Sequence, residues 1–359
     1  MDNIDLQMLR ELSEADGISG CEREVSRVVK RYFDKYADEI MYDNLGSIIG
    51  LKRGKENGPR IMIAGHMDEV GFIVRGIDEN GYIKLLPVGG WWGHVMPSQE
   101  MRITTSNGNK IIGIVGSRAP HGLSDEEKSK VIKPIDLFID LGVSTSEEVS
   151  KIGIEIGDMI TPNVQFNTMN NKDYLLGKAW DNRIGVAVAI DVLRELEGFD
   201  HDANIYSVGT VQEEVGLRGA RTSAKLINPD IAFAIDVTTS MDTPMDKGEI
   251  KLGNGVVVNI LDSTSMGHRG LLNKVEDICN ELGIDMKCEF MTVGGTDAGN
   301  IHKTFDGVVT VTLSIPTRYM HSPRLVIHRN DYIETVSLVV EFCKRLSSIV
   351  VDELRLSTR

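Results

Sequence analysis

Five short stretches of this chain carry acids or histidines just past an apolar run or at the start of a helical pattern. They are Gly65-His66-Met67-Asp68-Glu69, Ala179-Trp180-Asp181-Asn182-Arg183, Thr210-Val211-Gln212-Glu213-Glu214, Ala232-Phe233-Ala234-Ile235-Asp236 and Tyr319-Met320-His321-Ser322-Pro323. In an open α/β sheet the C-terminal strand ends converge on the ligand crevice, so side chains distant in sequence meet there. Two histidines with several carboxylates and no thiolate suit a borderline divalent ion such as Zn2+ or Co2+. Two such ions, about 3.5–4 Å apart, can clamp a hydrolytic transition state. Because the cations repel one another, a shared carboxylate is needed between them, and a remaining carboxylate can serve as general base.

Each stretch also has an ordinary structural reading. His66 could be a satisfied histidine at a strand end, and Asp181 a helix N-cap followed by a solvated Arg183. Glu213-Glu214 could be surface carboxylates, Asp236 a turn residue and His321 part of a loop before Ser-Pro. One metal site accounts for all five placements together, whereas the ordinary account needs five coincidences. The other histidines (His94, His121, His201, His268, His302 and His328) have no partner pattern and read as structural or exposed, although His121 could face a cleft. Gly294-Gly295-Thr296-Asp297 lacks the Gly-Lys-Ser/Thr ending of a phosphate loop, and Gly267-His268-Arg269-Gly270 has the wrong glycine spacing for a dinucleotide site.

The elements that must position these residues are legible as periodicity. Leu6, Leu9 and Leu12 recur at helical spacing, and Ser19 with Glu22 fits a capping box opening a helix with stripe Val25, Val28 and Tyr32. Strands are expected at Ser47–Leu51 and Ile61–Ala64, the latter buried on both faces. From about Val70 to Pro162 the texture changes to short strand-like pieces (Phe72–Val74, Tyr82–Leu85, Met101–Thr104, Ile111–Val115) between dense turn signals, which predicts a small β-rich barrel or sandwich. Ser124–Lys130 reads as an exposed charged loop or short helix. After Asn163 helices (Ile184, Val188, Val192; Leu271, Val275, Ile278, Leu282; Ile333, Val336, Val340, Cys343) alternate with strands Ile205–Val211, Ile231–Ile235, Val256–Ile260 and Val308–Leu313. That rhythm predicts an α/β fold with a mainly parallel sheet flanked by helices. The parse is catalytic α/β domain 1–69, β-rich insertion 70–162, and catalytic α/β domain again over 163–359.

Composition narrows the partners. With 359 residues, 41% hydrophobic and 26% charged, the chain reads as an ordinary globular protein. A net charge of −14 disfavours nucleic acid and anionic membrane surfaces, both polyanions. No apolar stretch approaches the length of a membrane helix, and Met-Asp-Asn-Ile-Asp-Leu-Gln is no signal peptide, so a cytoplasmic address is expected. Cys21, Cys279, Cys288 and Cys343 lack close pairing and are expected as free, buried thiols.

Taken in order, the five stretches resemble the M42 family of metallo-aminopeptidases, as does Gly294-Gly295-Thr296-Asp297-Ala298-Gly299, and the resemblance runs over nearly the whole chain. It implies a dinuclear-metal peptidase fold with an inserted PDZ-like β-barrel domain, acting on the N-terminal residue of peptide substrates. It further implies two divalent metal ions per subunit, Zn2+ or Co2+, with His66 and Asp236 on one, Glu214 and His321 on the other, and Asp181 bridging. Glu213 would be general base and acid, Asp68 would orient His66 from behind, and Thr296 or Asp297 would line the substrate site. The metals would polarise the scissile carbonyl and hold the free α-amino group, which favours an exopeptidase. Homo-oligomers, often tetrahedral dodecamers, are implied as well. The rival readings are an endoglucanase, which needs two free carboxyls flanking the scissile bond, and a catalytically silent scaffold, which would normally have lost a ligand or the base. The preference for the first residue is not legible. Arg318, near His321, could bind a carboxylate side chain or form a structural salt bridge.

Overall fold

The computed structural model describes residues 4–358. Apolar runs without polar alternation must bury both faces of a strand, and here they take the middle of the main sheet. Strand Arg60–His66, buried from Ile61 onward, pairs in parallel with Asn204–Thr210 on one side and Ile231–Thr239 on the other. Val309–Arg318 extends this parallel centre. Beyond Asn204–Thr210 lie Ile48–Lys52 and Glu39–Tyr42, both joined by antiparallel pairs. Beyond Val309–Arg318 lie Leu325–His328, Tyr174–Gly177 and Asn167–Thr168, again antiparallel. Val256–Leu261 and Met286–Phe290 branch from Val309–Arg318 and complete eleven strands among the described residues.

Helix Trp180–Glu195 is buried on nearly every side, between the central strands Arg60–His66 and Ile231–Thr239 and the helices Leu6–Glu14, Arg23–Tyr36 and Arg329–Arg345. Two glycines permit that depth. A Cβ at Gly65 would lie 2.4 Å from the Gly185 carbonyl carbon, and one at Gly185 would lie 2.4 Å from Asn182 Oδ1. Only backbone fits where strand and helix cross, so His66 is set directly against the start of the helix that carries Asp181. On the other face, helices Arg218–Ile227 and Ala298–Ile301 cover Met62, Ala64, Val208 and Ala232. The expected helical stripes are buried except at their ends, where Leu6 and Leu282 are exposed and Ile333 is half-buried.

Between residues 71 and 162 six strands close into an antiparallel barrel in the order Gly71–Ile77, Ile83–Val88, Phe138–Asp140, Lys110–Val115, Glu100–Thr104, Met159–Pro162. It has its own core, including Phe72, Leu85, Met101, Ile139 and Ile160. Between its strands Lys110–Val115 and Phe138–Asp140 the charged segment forms the short exposed helix Asp125–Ser129, opened by a capping box between Ser124 and Glu127.

Two expectations are corrected. The Ser19–Glu22 capping box does not form: helix Arg23–Tyr36 has no side-chain cap. Glu22 instead accepts the backbone N–H groups of Gly20 (2.7 Å) and Gln212 (3.0 Å), and Ser19 turns its hydroxyl to Asp68 (2.6 Å). Tertiary partners outcompete the local cap here. The four cysteines are free, but only Cys279 and Cys343 are buried, and Cys288 is exposed on the outer strand Met286–Phe290. No helix among the described residues is long and apolar enough to cross a membrane.

Candidate metal centre

Parallel strands end on the same side of a sheet, and this places the acids. His66 closes Arg60–His66, while Glu213 and Glu214 follow Asn204–Thr210 in the adjacent turn. Asp236 lies inside a strand that continues to Thr239, so it is not a turn residue. Asp181 sits in the first turn of Trp180–Glu195, where the N-cap position belongs to Ala179 in a left-handed conformation. His321 occupies the loop after Val309–Arg318, itself at φ +55°.

These six side chains converge. Asp181 places Oδ1 3.2 Å from His66 Nε2 and Oδ2 3.3 Å from His321 Nε2. Each ring turns its other nitrogen to a backbone carbonyl: His66 Nδ1 lies 3.0 Å from the Asp68 oxygen, His321 Nδ1 2.8 Å from the Gly90 oxygen. With Nδ1–H donating to a carbonyl, each Nε2 lone pair is free to face a cation. Ligand atoms of His66, Glu213 and Asp236 all lie within 4.8 Å of one another, and so do those of His66, Asp181 and Glu214. The Asp68 carboxylate stands 3.6 Å from His66 Nδ1 and accepts the backbone N–H groups of Glu213 (3.0 Å) and Glu214 (3.1 Å). It therefore clamps the glutamate turn onto the strand that ends in His66.

The electrostatics call for positive charge. Burial pushes the Glu214 carboxyl up to about 8, with Asp181 adding to the effect. Burial likewise lifts Glu213 and Asp236 well above the usual carboxylate range, reinforced by neighbouring acids. Burial opposes charging His66, yet Glu213, Asp181 and Asp68 outweigh it and hold the ring well above its ordinary value. The bond to Asp181 holds His321 up to about 9. Glu214 Oε1 is buried with no hydrogen-bond partner. Oxygens and imidazole nitrogens that are crowded, buried and short of donors fit divalent cations.

A second layer of charge lies behind this cluster. Arg183, which the ordinary reading would leave in solvent, is fully buried, donating to the carbonyls of Leu12 (2.8 Å), Ala15 (2.9 Å) and Gly17 (3.2 Å) and to Glu69 (3.2 Å). Lys178, also buried, bridges Asp16 (2.9 Å) and Glu69 (2.6 Å). Glu69 sits just after His66 and Lys178 just before Asp181, so this network ties the two segments together.

The convergent groups line a cleft of about 610 Å3. Another cavity, about 490 Å3, opens at the opposite strand ends, where Arg60 and Asn204 begin their strands. Thr296 reaches the cleft with its hydroxyl paired to Thr312, whereas Asp297 lies behind, bonded to Thr210. His121 is exposed, on the turn Pro120–Gly122, and lies outside the cleft lining. Arg318 is held by Asp242 at 2.8 and 2.6 Å, the structural salt bridge. Sequence reasoning missed Glu289 and Met291 in the cleft wall, because Met286–Phe290 alternates like an ordinary outer strand.

Known proteins share this architecture. The sequence model of the M42 glutamyl aminopeptidase family matches residues 46–338. The glutamyl aminopeptidase of Lactococcus lactis is 32% identical over 97% of this chain and 98% of its own. The lysyl aminopeptidase of Pyrococcus furiosus is 33% identical over 96% and 98%. Among solved structures, a TET aminopeptidase from a marine-sediment Thaumarchaeota archaeon superposes with a TM-score of 0.94 at 37% identity, covering 97% of this chain and 99% of that one. A TET peptidase of Pyrococcus horikoshii, described as assembling into a tetrahedron or a large octahedral shell, gives 0.85 at 31% identity over 95% and 99%. With the family match spanning most of its length, the chain belongs to the M42 aminopeptidases, metal-dependent enzymes that hydrolyse peptides from the N-terminus.

Proposed function

We propose that this enzyme removes N-terminal residues from peptides at a centre of two divalent ions, zinc or cobalt. The observation that carries the reading is Asp181, whose two oxygens each face a different histidine Nε2 at 3.2 and 3.3 Å, the arrangement of a bridging carboxylate. His66 and Asp236 would hold one ion, and Glu214 and His321 the other. When bound, the ions supply water activation and polarisation of the scissile carbonyl. Glu213 takes a proton from the attacking water at a carboxylate oxygen and returns it to the nitrogen of the departing amine. Asp68 positions the machinery by holding the backbone of Glu213 and Glu214.

The barrel of residues 70–162 is taken as an insertion between catalytic segments 1–69 and 163–359, with the enzyme acting in the cytoplasm. Homo-oligomeric assembly as a tetrahedral dodecamer is the reading supported by likeness to solved peptidases described as a dodecamer and as a tetrahedron. The test compares amino-acid p-nitroanilides with soluble cellulose before and after chelation, and again after restoring each metal singly. Hydrolysis of the anilides, abolished by chelator and returned by zinc or cobalt, is expected. Metal-independent cleavage, or cellulose as the better substrate, would overturn the reading. With Asp181, Glu214 and Asp236 committed to ions, Glu213 alone remains for a glycosidase that needs two.

A further inference from the structure

We propose that Glu289 selects peptides whose first residue carries a cationic side chain, lysine or arginine, by facing that charge from the wall of the cleft. The proposal rests on the aminopeptidase reading and deepens it. Glu289 lines the same cleft as His66, Asp181, Glu213, Glu214 and Asp236. One of its oxygens accepts the Thr238 hydroxyl; the other, Oε2, is buried with no hydrogen-bond partner. A buried carboxylate oxygen lacking a donor is costly, and an incoming ammonium or guanidinium relieves that cost.

Charge counting points the same way. Five carboxylates line the cleft and, among the described residues, no lysine or arginine does. Two divalent ions neutralise four of the carboxylates, Asp181, Glu213, Glu214 and Asp236, and leave Glu289 uncompensated. Of the two cations three residues from His321, Arg318 is already held by Asp242 at 2.8 and 2.6 Å, and Arg324 donates to Gln99 at 2.6 Å. An acidic first residue therefore meets a like charge and no partner. Val237, Met291 and Leu217 supply apolar surface for the long stem of a lysine or arginine.

The test measures kcat/KM of the metal-restored enzyme on lysyl, Nε-acetyllysyl, leucyl and glutamyl anilides. The lysyl substrate is expected to exceed its acetylated form by about 10- to 100-fold, the worth of one hydrogen bond between charged groups. The glutamyl substrate is expected to be slowest. In Glu289→Gln the lysyl-to-leucyl ratio falls by about the same 10- to 100-fold factor, a readout that general damage to the site does not move. A wild-type preference for leucyl or glutamyl, or an unchanged ratio in Glu289→Gln, overturns the proposal while leaving the aminopeptidase intact. Failure to cut any of the four substrates overturns both.

Discussion

Lys178→Met removes one cation from a buried network and leaves its acids in place. The side chain is 1% exposed and contacts Asp16 at 2.9 Å and Glu69 at 2.6 Å. Asp16 keeps Arg102 (3.0 Å), Lys110 (2.7 Å) and the Thr161 hydroxyl (2.8 Å), so it stays ionised. Glu69 keeps one cation, Arg183 at 3.2 Å. Breaking a buried pair by removing one partner costs about 3–5 kcal/mol, and with Asp16 still compensated the low end, about 3, applies. An unfolding entropy of about 2.1 cal/mol/K per residue over 359 residues gives about 0.75 kcal/mol/K, hence a Tm lower by about 4 °C. Burial already raises Glu69, against Lys178 and Arg183, and losing Lys178 raises it further. An acid whose folded pKa lies above its unfolded value contributes stability at low pH and loses it as pH rises. The deficit relative to wild type therefore opens above the ordinary glutamate value of 4.5 and widens toward neutrality. Thermal and urea unfolding at several pH values, at fixed protein concentration because of assembly, measures it. Undiminished stability at pH 7, or a deficit that grows toward acid, would refute the reasoning.

Glu213→Gln should keep its metals by elemental analysis while kcat drops by about 100- to 10,000-fold; near-normal turnover would remove Glu213 as the base. Asp68→Asn loosens the glutamate turn and should weaken metal affinity about 10- to 100-fold, read by competition with a chelator. Metal uptake should release protons, since the metal-free cluster holds His321 up to about 9 and Glu214 up to about 8, while ligands bind deprotonated. Affinity should thus fall as pH falls, and calorimetric heats should differ between buffers of unlike ionisation enthalpy. Buffer-independent heats count against it.

Much of the fold and the convergent cluster was legible along the chain because the signals are local. Ile61–Ala64 and Ile231–Ile235 are continuous apolar runs, which only a strand covered on both faces accommodates, and His66 and Asp236 lie just past those runs. That places His66, Glu213, Glu214 and Asp236 on one side of a sheet before any coordinates are known. Three-dimensional partnership was not legible. Ser19 and Glu22 satisfy the pattern of a capping box and then bond to Asp68 and Gln212 instead. Nothing beside Arg183 in the chain tells a solvated charge from a buried one, and it is buried because its partners come from Leu12, Ala15, Gly17 and Glu69. Glu289 carries no signal along the chain and faces the cleft because Thr238, 51 residues away, holds it there. The sequence by itself determined which strands are central and which acids stand at their ends, since burial pattern is a property of neighbouring residues. Which charges are buried, what satisfies them and which one is left for a substrate was decided only when the chain closed, since desolvating a charge is tolerable only beside a partner that no local spacing reveals.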